Sequence, residues 1–193
     1  RLYTLHPDDV KRRSTQTTLY LIFESLIRIL GPMAPFTADE AWSFHKSKQD
    51  LSANSLALEC WPKFQAKWSQ GDELNEAQEI LNFKESKINE SLESLRSKKE
   101  IGQSLEAEVE IKIPVDSPLY SVFQKRENDL AEIFIVSNVS LIEIPAGEEI
   151  QVTSRHATGK RCPRSWRWVP ELVEAAPWGE VSPRCAEVLA KLA

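Results

Sequence analysis

The chain has 193 residues, with 24 Lys and Arg against 29 Asp and Glu, so its formal net charge is -5. This length suits one large domain or two small ones, and an apolar share of 41% is enough for a packed core. The net acidity excludes a protein that coats nucleic acid indiscriminately. No apolar run approaches membrane-spanning length and no signal-peptide pattern is present, so we expect no contact with a membrane.

The charge is distributed unevenly along the chain. Residues 1–30 hold five Lys or Arg against three acidic residues, and residues 151–193 hold seven against four. Residues 31–150 therefore carry the whole acidic excess. An acidic middle with basic ends is the pattern expected if only the ends approach a polyanion.

Two further features concern the cell compartment and the extent of the chain. Cys60, Cys162 and Cys185 do not make a disulfide framework, which favours a reducing compartment such as the cytoplasm. The first residue is not Met, so we expect the chain to begin within a longer polypeptide or after processing.

The first fifty residues predict two helices. The first covers residues 7–30, where Pro7 suits the first turn and Gly31-Pro32 ends the pattern. Its predicted apolar stripe consists of Leu19, Ile22, Phe23, Leu26, Ile27 and Leu30. Thr37-Ala-Asp-Glu40 has the pattern of a capping box and predicts a second helix to about residue 47.

The next fifty residues predict a short strand and a long helix. Residues 55–61 have a strand-like pattern, and residues 72–98 predict an amphipathic helix. The residues expected on the apolar face of this helix are Leu74, Ala77, Leu81, Ile88, Leu92 and Leu95. Because each of the three helices has one apolar stripe to bury, together they predict a helical bundle.

After residue 102 the periodicity changes. Residues 105–113 alternate apolar and charged side chains, which predicts a half-buried strand. A helix over 117–132, strands over 139–144 and from Ile150, and a last helix over 183–192 follow. The fold class is therefore mainly α, with three predicted domains: a helical bundle over 1–102, a small α+β subdomain over 103–148, and a tail over 149–193.

The tail contains two matching four-residue turns, Cys162-Pro-Arg-Ser165 and Ser182-Pro-Arg-Cys185, separated by sixteen residues. Four cysteines at this spacing would predict a zinc knuckle. Ser165 and Ser182 occupy two of the four ligand positions, and a neutral hydroxyl is a poor ligand for zinc. His156 lies outside knuckle spacing. We therefore expect no bound metal.

Without a bound metal, other contacts must hold the two turns together. Trp166, Trp168 and Trp178 supply apolar area that suits this purpose. Cys162 and Cys185 are expected to be neighbours, and in a reducing compartment to remain two buried free thiols.

Two other segments suit contact with RNA. Arg13, Gln16 and Thr17 share one helix face beside Arg12, and these side chains provide the donors that phosphates and base edges accept. The same pattern is also typical of the solvated face of an amphipathic helix. The segment Lys98-Lys99-Glu-Ile-Gly102 is suited to ending a helix, because Gly102 can adopt a left-handed conformation.

Together these segments resemble class I isoleucyl-tRNA synthetases of the bacterial type, over essentially the whole chain. The matching stretches occur in the same order as in that family: Arg1-Leu-Tyr-Thr4, Arg12-Arg-Ser-Thr-Gln-Thr17, Pro32-Met-Ala-Pro-Phe-Thr-Ala-Asp-Glu-Ala-Trp42, Ser55-Leu-Ala-Leu-Glu-Cys-Trp-Pro62, Lys99-Glu-Ile-Gly-Gln-Ser-Leu-Glu-Ala107 and the paired Cys/Ser turns. The chain departs from the family in lacking two knuckle cysteines.

The resemblance implies a helical-bundle anticodon-binding domain, a small α+β subdomain and a zinc-ribbon-like knuckle. It implies tRNA contacts by Arg12, Arg13, Gln16, Thr17, Lys98, Lys99, Lys160, Arg161, Arg164 and Trp166. Trp166 follows the second knuckle position, where the family has a ring that stacks on an anticodon base. Trp168 has the same basic neighbours, so the sequence leaves open which ring stacks and which packs.

The adenylation signatures of class I synthetases do not occur in this sequence, and the three histidines form no triad. We therefore expect a catalytically inactive, monomeric, cytoplasmic part of an isoleucine–tRNA ligase, which binds the anticodon loop of isoleucine tRNA. No cofactor is expected here, and ATP would be used by the absent catalytic domain. The alternatives are the knuckle-containing tail of a DNA-repair glycosylase and a helical protein-interaction module.

Overall fold

The computed structural model describes residues 2–46, 55–63, 65–69 and 71–192. The chain divides into two compact units, Arg1–Trp68 and Ser69–Ala193. About half of the chain is helical, which confirms a mainly α fold with a smaller α+β part. The predicted limits of the three domains remain a prediction.

In the first unit, helix α1 covers Val10–Leu30 and helix α2 covers Pro35–Lys46. Asp9 caps α1, because its carboxylate accepts the backbone N–H of Lys11 at 2.8 Å. The predicted capping box at Thr37 is wrong. Proline suits the first helical position, and the helix already begins at Pro35, so Thr37 lies within the first turn.

The segment predicted as a strand over 55–61 is instead a 3₁₀ turn at Leu56–Leu58. Its conformation follows from Asp39 on α2, whose carboxylate accepts the Ser55 hydroxyl at 2.7 Å and the Leu56 N–H at 2.8 Å. These bonds draw the chain onto α2 and use the Leu56 N–H, a backbone donor that a strand would need for pairing. Residues 47–54, which include the end predicted for the second helix, lie outside the described residues.

The core of the first unit is small: Ile27, Ala38, Trp42 and Leu56 are buried in it. The prediction that the apolar stripe of α1 is buried is therefore mostly wrong. Leu19, Ile22 and Leu26 are about half exposed, and Ile27 is the one stripe residue that is fully buried.

A polar network between α1 and α2 supplements this core. The carboxylate of Glu24 contacts Arg28 on its own helix and His45 on α2, and Arg28 also lies 4.8 Å above the Trp42 ring. Burial by itself would raise the pKa of Glu24, but hydrogen bonds from Arg28 and His45 outweigh it and lower the pKa. The charged form of this carboxylate therefore stabilises the unit.

In the second unit, the long predicted helix is present as helix α3 over Asp72–Phe83, a π-helical stretch over Lys84–Ile88, and helix α4 over Asn89–Ser97. The predicted face is correct from Ile88 onward, where Ile88, Leu92 and Leu95 are buried. Leu74 and Leu81 are exposed, whereas Ile80 and Phe83 are buried. The π-helical stretch adds one residue to the helical turn, which places residue 80 and not 81 above Ile88.

A three-stranded sheet with the order β2-β1-β3 forms the centre of this unit. Strand β1 covers Ala107–Pro114, helix α5 Pro118–Lys125, helix α6 Glu127–Phe134, strand β2 Asn138–Ile144 and strand β3 Gln151–His156. The helix predicted over 117–132 is divided in two at Arg126. Strand β2 runs parallel to β1 and β3 runs antiparallel to it.

The alternation predicted for β1 is confirmed. Its apolar positions Ala107, Val109, Ile111 and Ile113 are at most 1% exposed. Helices α3 to α6 contribute Leu92, Phe83, Phe123, Leu130 and Phe134 to the same core. Strand β1 lies between β2 and β3, which pair with its backbone on both edges, while the helices cover one face of the sheet.

The tail contains two short hairpins and one helix: β4 Lys160–Arg161 with β5 Trp168–Val169, β6 Val173–Glu174 with β7 Glu180–Val181, and α7 Pro183–Ala190. Its core consists of Cys162, Val181, Cys185 and Leu189. The prediction that tryptophans hold the turns together is wrong for two of the three, because Trp166 and Trp178 are 54% and 62% exposed. None of the described helices has the length and apolar character needed to cross a membrane.

Candidate nucleic-acid interface

The α1 residues predicted to contact RNA divide into two groups. Arg13, Gln16 and Thr17 are exposed on one face, as predicted from their spacing. Arg12 is half-buried, and its guanidinium donates to the carbonyl oxygen of Leu5 at 2.9 Å. Arg12 therefore ties the N-terminal turn to the helix, whereas Arg13 and Gln16 remain available to a ligand. The Thr17 hydroxyl donates to the Arg13 carbonyl at 3.1 Å, so it can only accept from a ligand.

At the end of α4, Lys98 and Lys99 are exposed. The left-handed residue is Lys99, with φ of 60°, and not Gly102 as predicted. The Glu100 N–H donates to the Leu95 carbonyl at 3.0 Å, which closes the helix before the chain reaches Gly102. This turn presents both lysine side chains to solvent.

The third group lies on the β4–β5 hairpin. Lys160 and Arg161 are exposed on β4, and Arg164 and Trp166 lie in the turn that follows. Gly159 permits this hairpin, because a side chain there would place its Cβ 2.1 Å from the Val169 carbonyl oxygen. The backbone of Gly159 also has a φ of +99°, which favours glycine.

Trp166 and Trp168, which the sequence could not distinguish, have different environments. Trp166 is 54% exposed, with its ring centroid 5.5 Å from the guanidinium carbon of Arg161. Trp168 is half-buried and packs edge to face on the His156 ring at 4.7 Å. Trp166 is therefore the ring that can stack on a base, and Trp168 is the ring that packs.

The backbone at Trp166 is strained. Its φ of 62° lies in the left-handed region, which is rare for a bulky side chain and costs on the order of 1 kcal/mol. The conformation is held by hydrogen bonds from the Trp166 N–H to the Cys162 carbonyl at 2.8 Å and from the Cys162 N–H to the Arg167 carbonyl at 2.9 Å. Such strain is typical of a residue that the fold positions for a ligand.

Arg155 and Arg167, which belong to the acid-free basic segment 151–170, both contact the protein itself. Arg155 pairs with Glu108 across the β1–β3 register, at 2.5 Å. Arg167 donates to the Ser137 carbonyl at 2.9 Å. Sequence composition could not reveal these contacts, because Glu108 and Ser137 are distant in the sequence and carry no motif.

The two Cys/Ser turns meet as predicted. Cys162 and Cys185 are fully buried and free, with their sulfurs 3.9 Å apart. The Ser182 backbone N–H donates to the Cys162 sulfur at 3.2 Å, and the Ser182 hydroxyl accepts the Cys185 N–H at 3.4 Å as the cap of α7. Both turns are thus joined by thiol and hydroxyl hydrogen bonds.

These bonds alter the acidity of one thiol. Burial by itself would raise the pKa of Cys162, but hydrogen bonds from the Ser165 hydroxyl and the Ser182 N–H lower it to about 6. A thiolate stabilised by hydrogen bonds in this way does not require a cation beside it.

The donor set does not fit a structural zinc ion. Two sulfurs 3.9 Å apart do match the edge of a tetrahedral thiolate site, which is about 3.8 Å for Zn–S bonds of about 2.3 Å. The other two positions, however, offer only serine hydroxyls. Across the described part of the chain, no three His, Cys, Asp or Glu side chains form a group that could hold a metal.

Comparison with known proteins agrees with these features. Residues 1–111 match the family described as the anticodon-binding domain of tRNA ligase. The chain is 33% identical to isoleucine–tRNA ligase of Thermotoga petrophila and 36% identical to that of Fervidobacterium nodosum, each over 98% of this chain. It is 34% identical to the enzyme of Thermoanaerobacter sp. over 96% of this chain.

The chain spans about a fifth of the length of these relatives, since each match covers 21% of the relative. The family match covers more than half of this chain and includes α1, α2, α3 and α4. This protein therefore belongs to the family of anticodon-binding domains of tRNA ligases.

Proposed function

We propose that this chain binds the anticodon loop of isoleucine tRNA, as the C-terminal part of an isoleucine–tRNA ligase. The observation that carries the proposal is Trp166: an exposed ring, fixed by a strained backbone and flanked by Arg161. Base stacking on aromatic rings is the main way in which proteins bind the unpaired bases of RNA loops. Isoleucine and ATP are used in a part of the ligase outside this chain.

The remaining contacts are electrostatic and positional. Lys160, Arg161 and Arg164 lie near Trp166 in the sequence and bind phosphates on either side of the stacked base. Arg13, Gln16 and Thr17 on α1, with Lys98 and Lys99 after α4, bind the sugar-phosphate backbone of the stem-loop. Arg12 supports the contacts made by α1 through its bond to Leu5.

The tail is a zinc-ribbon-like knuckle that needs no metal. Hydrogen bonds among Cys162, Ser165, Ser182 and Cys185 join the two turns that four thiolates and an ion would otherwise join. Both buried thiols are free, as expected for a protein in the reducing cytoplasm. The chain acts there as a monomeric part of the ligase.

Metal analysis tests the knuckle. Protein purified without added zinc is expected to contain far less than one equivalent of the ion. A variant with Ser165→Cys and Ser182→Cys is expected to bind about one equivalent, because it offers four thiolates at the knuckle positions. One equivalent of zinc in the unsubstituted chain would contradict a metal-free knuckle.

Binding to tRNA tests the function. The chain is expected to bind isoleucine tRNA more tightly than the same tRNA with a changed anticodon, because a loop base is read directly. The measurement is a filter-binding or fluorescence titration at a stated salt concentration. Equal affinity for both tRNAs would contradict anticodon recognition. Preference for duplex DNA would instead favour the glycosylase-tail hypothesis, and no RNA binding at low salt would favour a protein-interaction module.

A further inference from the structure

A second feature of the tail is a cavity of about 420 Å³ beside the β4–β5 hairpin. It lies where the start of β2, the hairpin and the N-terminus of α7 meet. Its lining is rich in hydrogen-bond donors, which include Ser137, Asn138, Ser165, Arg167, Trp168 and Arg184. The functions of these residues described above do not account for the cavity.

The charge of the cavity is positive. Arg167 donates to the Ser137 carbonyl and, among the described residues, forms no ion pair with a carboxylate. Arg184 pairs with Glu132 at 3.3 Å. Burial, and next the neighbouring charge of Arg184, lower the pKa of the Arg167 guanidinium. Glu132 offsets only part of this repulsion. An anion in the cavity would therefore stabilise both guanidinium groups, and Arg167 most, because it has no carboxylate partner among the described residues.

Two further features favour an anion in the same place. Ser182 and Pro183 at the N-terminus of α7 also line the cavity, so the positive end of that helix faces it. Glu108 is the one carboxylate in the lining, and its charge is already matched by Arg155 at 2.5 Å. Glu132 matches Arg184 in the same way, and the Cys162 sulfur already accepts the Ser182 N–H at the start of α7. Among the described residues, the positive group of the cavity left without a partner of opposite charge is therefore Arg167, and an anion would lie against it.

Its position identifies the anion. Ser165 and Arg167, the two chain neighbours of Trp166, both line the cavity. Within one nucleotide, base and phosphate are joined through a single ribose, so a base on the Trp166 ring brings a phosphate to this wall. We propose that the cavity binds the backbone phosphate of the nucleotide whose base stacks on Trp166, held by Arg167 and Arg184. This inference rests on the proposed function and extends it to a second group of the same nucleotide.

The first test compares Arg184→Gln with Arg126→Gln, which removes the same charge between α5 and α6, outside the cavity lining. Arg184→Gln is expected to raise the dissociation constant for isoleucine tRNA about tenfold at low salt, as loss of a charge-assisted hydrogen bond does. The slope of log affinity against log salt should fall by about 0.7, the value for one phosphate contact on a single strand. The control should change neither.

The second test does not depend on tRNA. The Trp168 indole N–H is buried and has no hydrogen-bond partner among the described residues, so its NMR resonance reports on the cavity wall. Uridine 5′-monophosphate is expected to shift this resonance in the unsubstituted chain but not in Arg184→Gln, and uridine should not shift it. Circular dichroism checks that each variant is folded.

The outcomes separate the two proposals. If Trp166→Ala weakens tRNA binding but Arg184→Gln behaves like the control, the cavity does not bind phosphate and the proposed function stands. If the monophosphate shifts the Trp168 resonance but the chain binds no tRNA, the cavity binds phosphate and the proposed function is wrong. A resonance that the monophosphate leaves in place overturns the cavity inference whatever the tRNA result.

Discussion

Trp166→Ala is expected to weaken binding of isoleucine tRNA by about 1–3 kcal/mol, the usual contribution of one ring stacked on one base. The Trp166 ring is 54% exposed in the free chain, so the loss comes from the complex and not from the core. The free energy of unfolding should change little. Titration with labelled tRNA and chemical denaturation measure the two quantities.

The matched control for this prediction is Trp178→Ala. Trp178 is also exposed, at 62%, and lies in the same tail, but Glu174 and Glu180 on β6 and β7 flank it in the sequence. The nearest Lys or Arg in the sequence is Arg184, six residues away. Its removal should leave tRNA affinity unchanged. Equal losses for both variants, or no loss for Trp166→Ala, would remove the stacking role.

The strained backbone supplies an independent check. Trp166→Gly removes a bulky side chain from the left-handed region, so the free energy of unfolding should not fall and is expected to rise by up to about 1 kcal/mol. The same variant should lose tRNA affinity as Trp166→Ala does. A residue that costs stability while it increases affinity is one that the fold retains for binding.

Among the variants that replace one glycine of this chain by alanine, Gly159→Ala is expected to be the most destabilising. The new Cβ would lie 2.1 Å from the Val169 carbonyl oxygen and 2.7 Å from its carbon, and both are backbone atoms that cannot rotate away. Overpacking costs about 1–3 kcal/mol, and the left-handed backbone adds on the order of 1 kcal/mol. Thermal or chemical unfolding measures the total.

Gly147→Ala is the control for that variant. Gly147 also has a left-handed backbone, with φ of +84°, but no atom lies within 4 Å of the position of its Cβ. It should therefore lose only the backbone contribution. Because the clash separates β4 from β5, Gly159→Ala should also weaken tRNA binding through Lys160 and Arg161, whereas Gly147→Ala should not. Similar stabilities for the two variants would show that the close approach to Val169 is not required.

The sequence by itself determined the features that depend on one element or one motif. The alternation in β1 predicts its buried face, because a strand with one core side repeats every two residues. The two Cys/Ser turns predict that Cys162 and Cys185 are neighbours, and the structure brings their sulfurs together. The absence of two knuckle cysteines also predicts that no metal binds there, which stays a prediction until metal analysis is done.

Only the tertiary structure decided which side chains remain available to RNA. Arg12 and Arg155 have the chemistry of phosphate-binding residues, yet Arg12 donates to the Leu5 carbonyl and Arg155 pairs with Glu108, which is distant in the sequence. Trp166 and Trp168 share their neighbours in the sequence, and differ because His156 packs on only one of them. Exposure is set by contacts between elements, and periodicity within one element cannot report them.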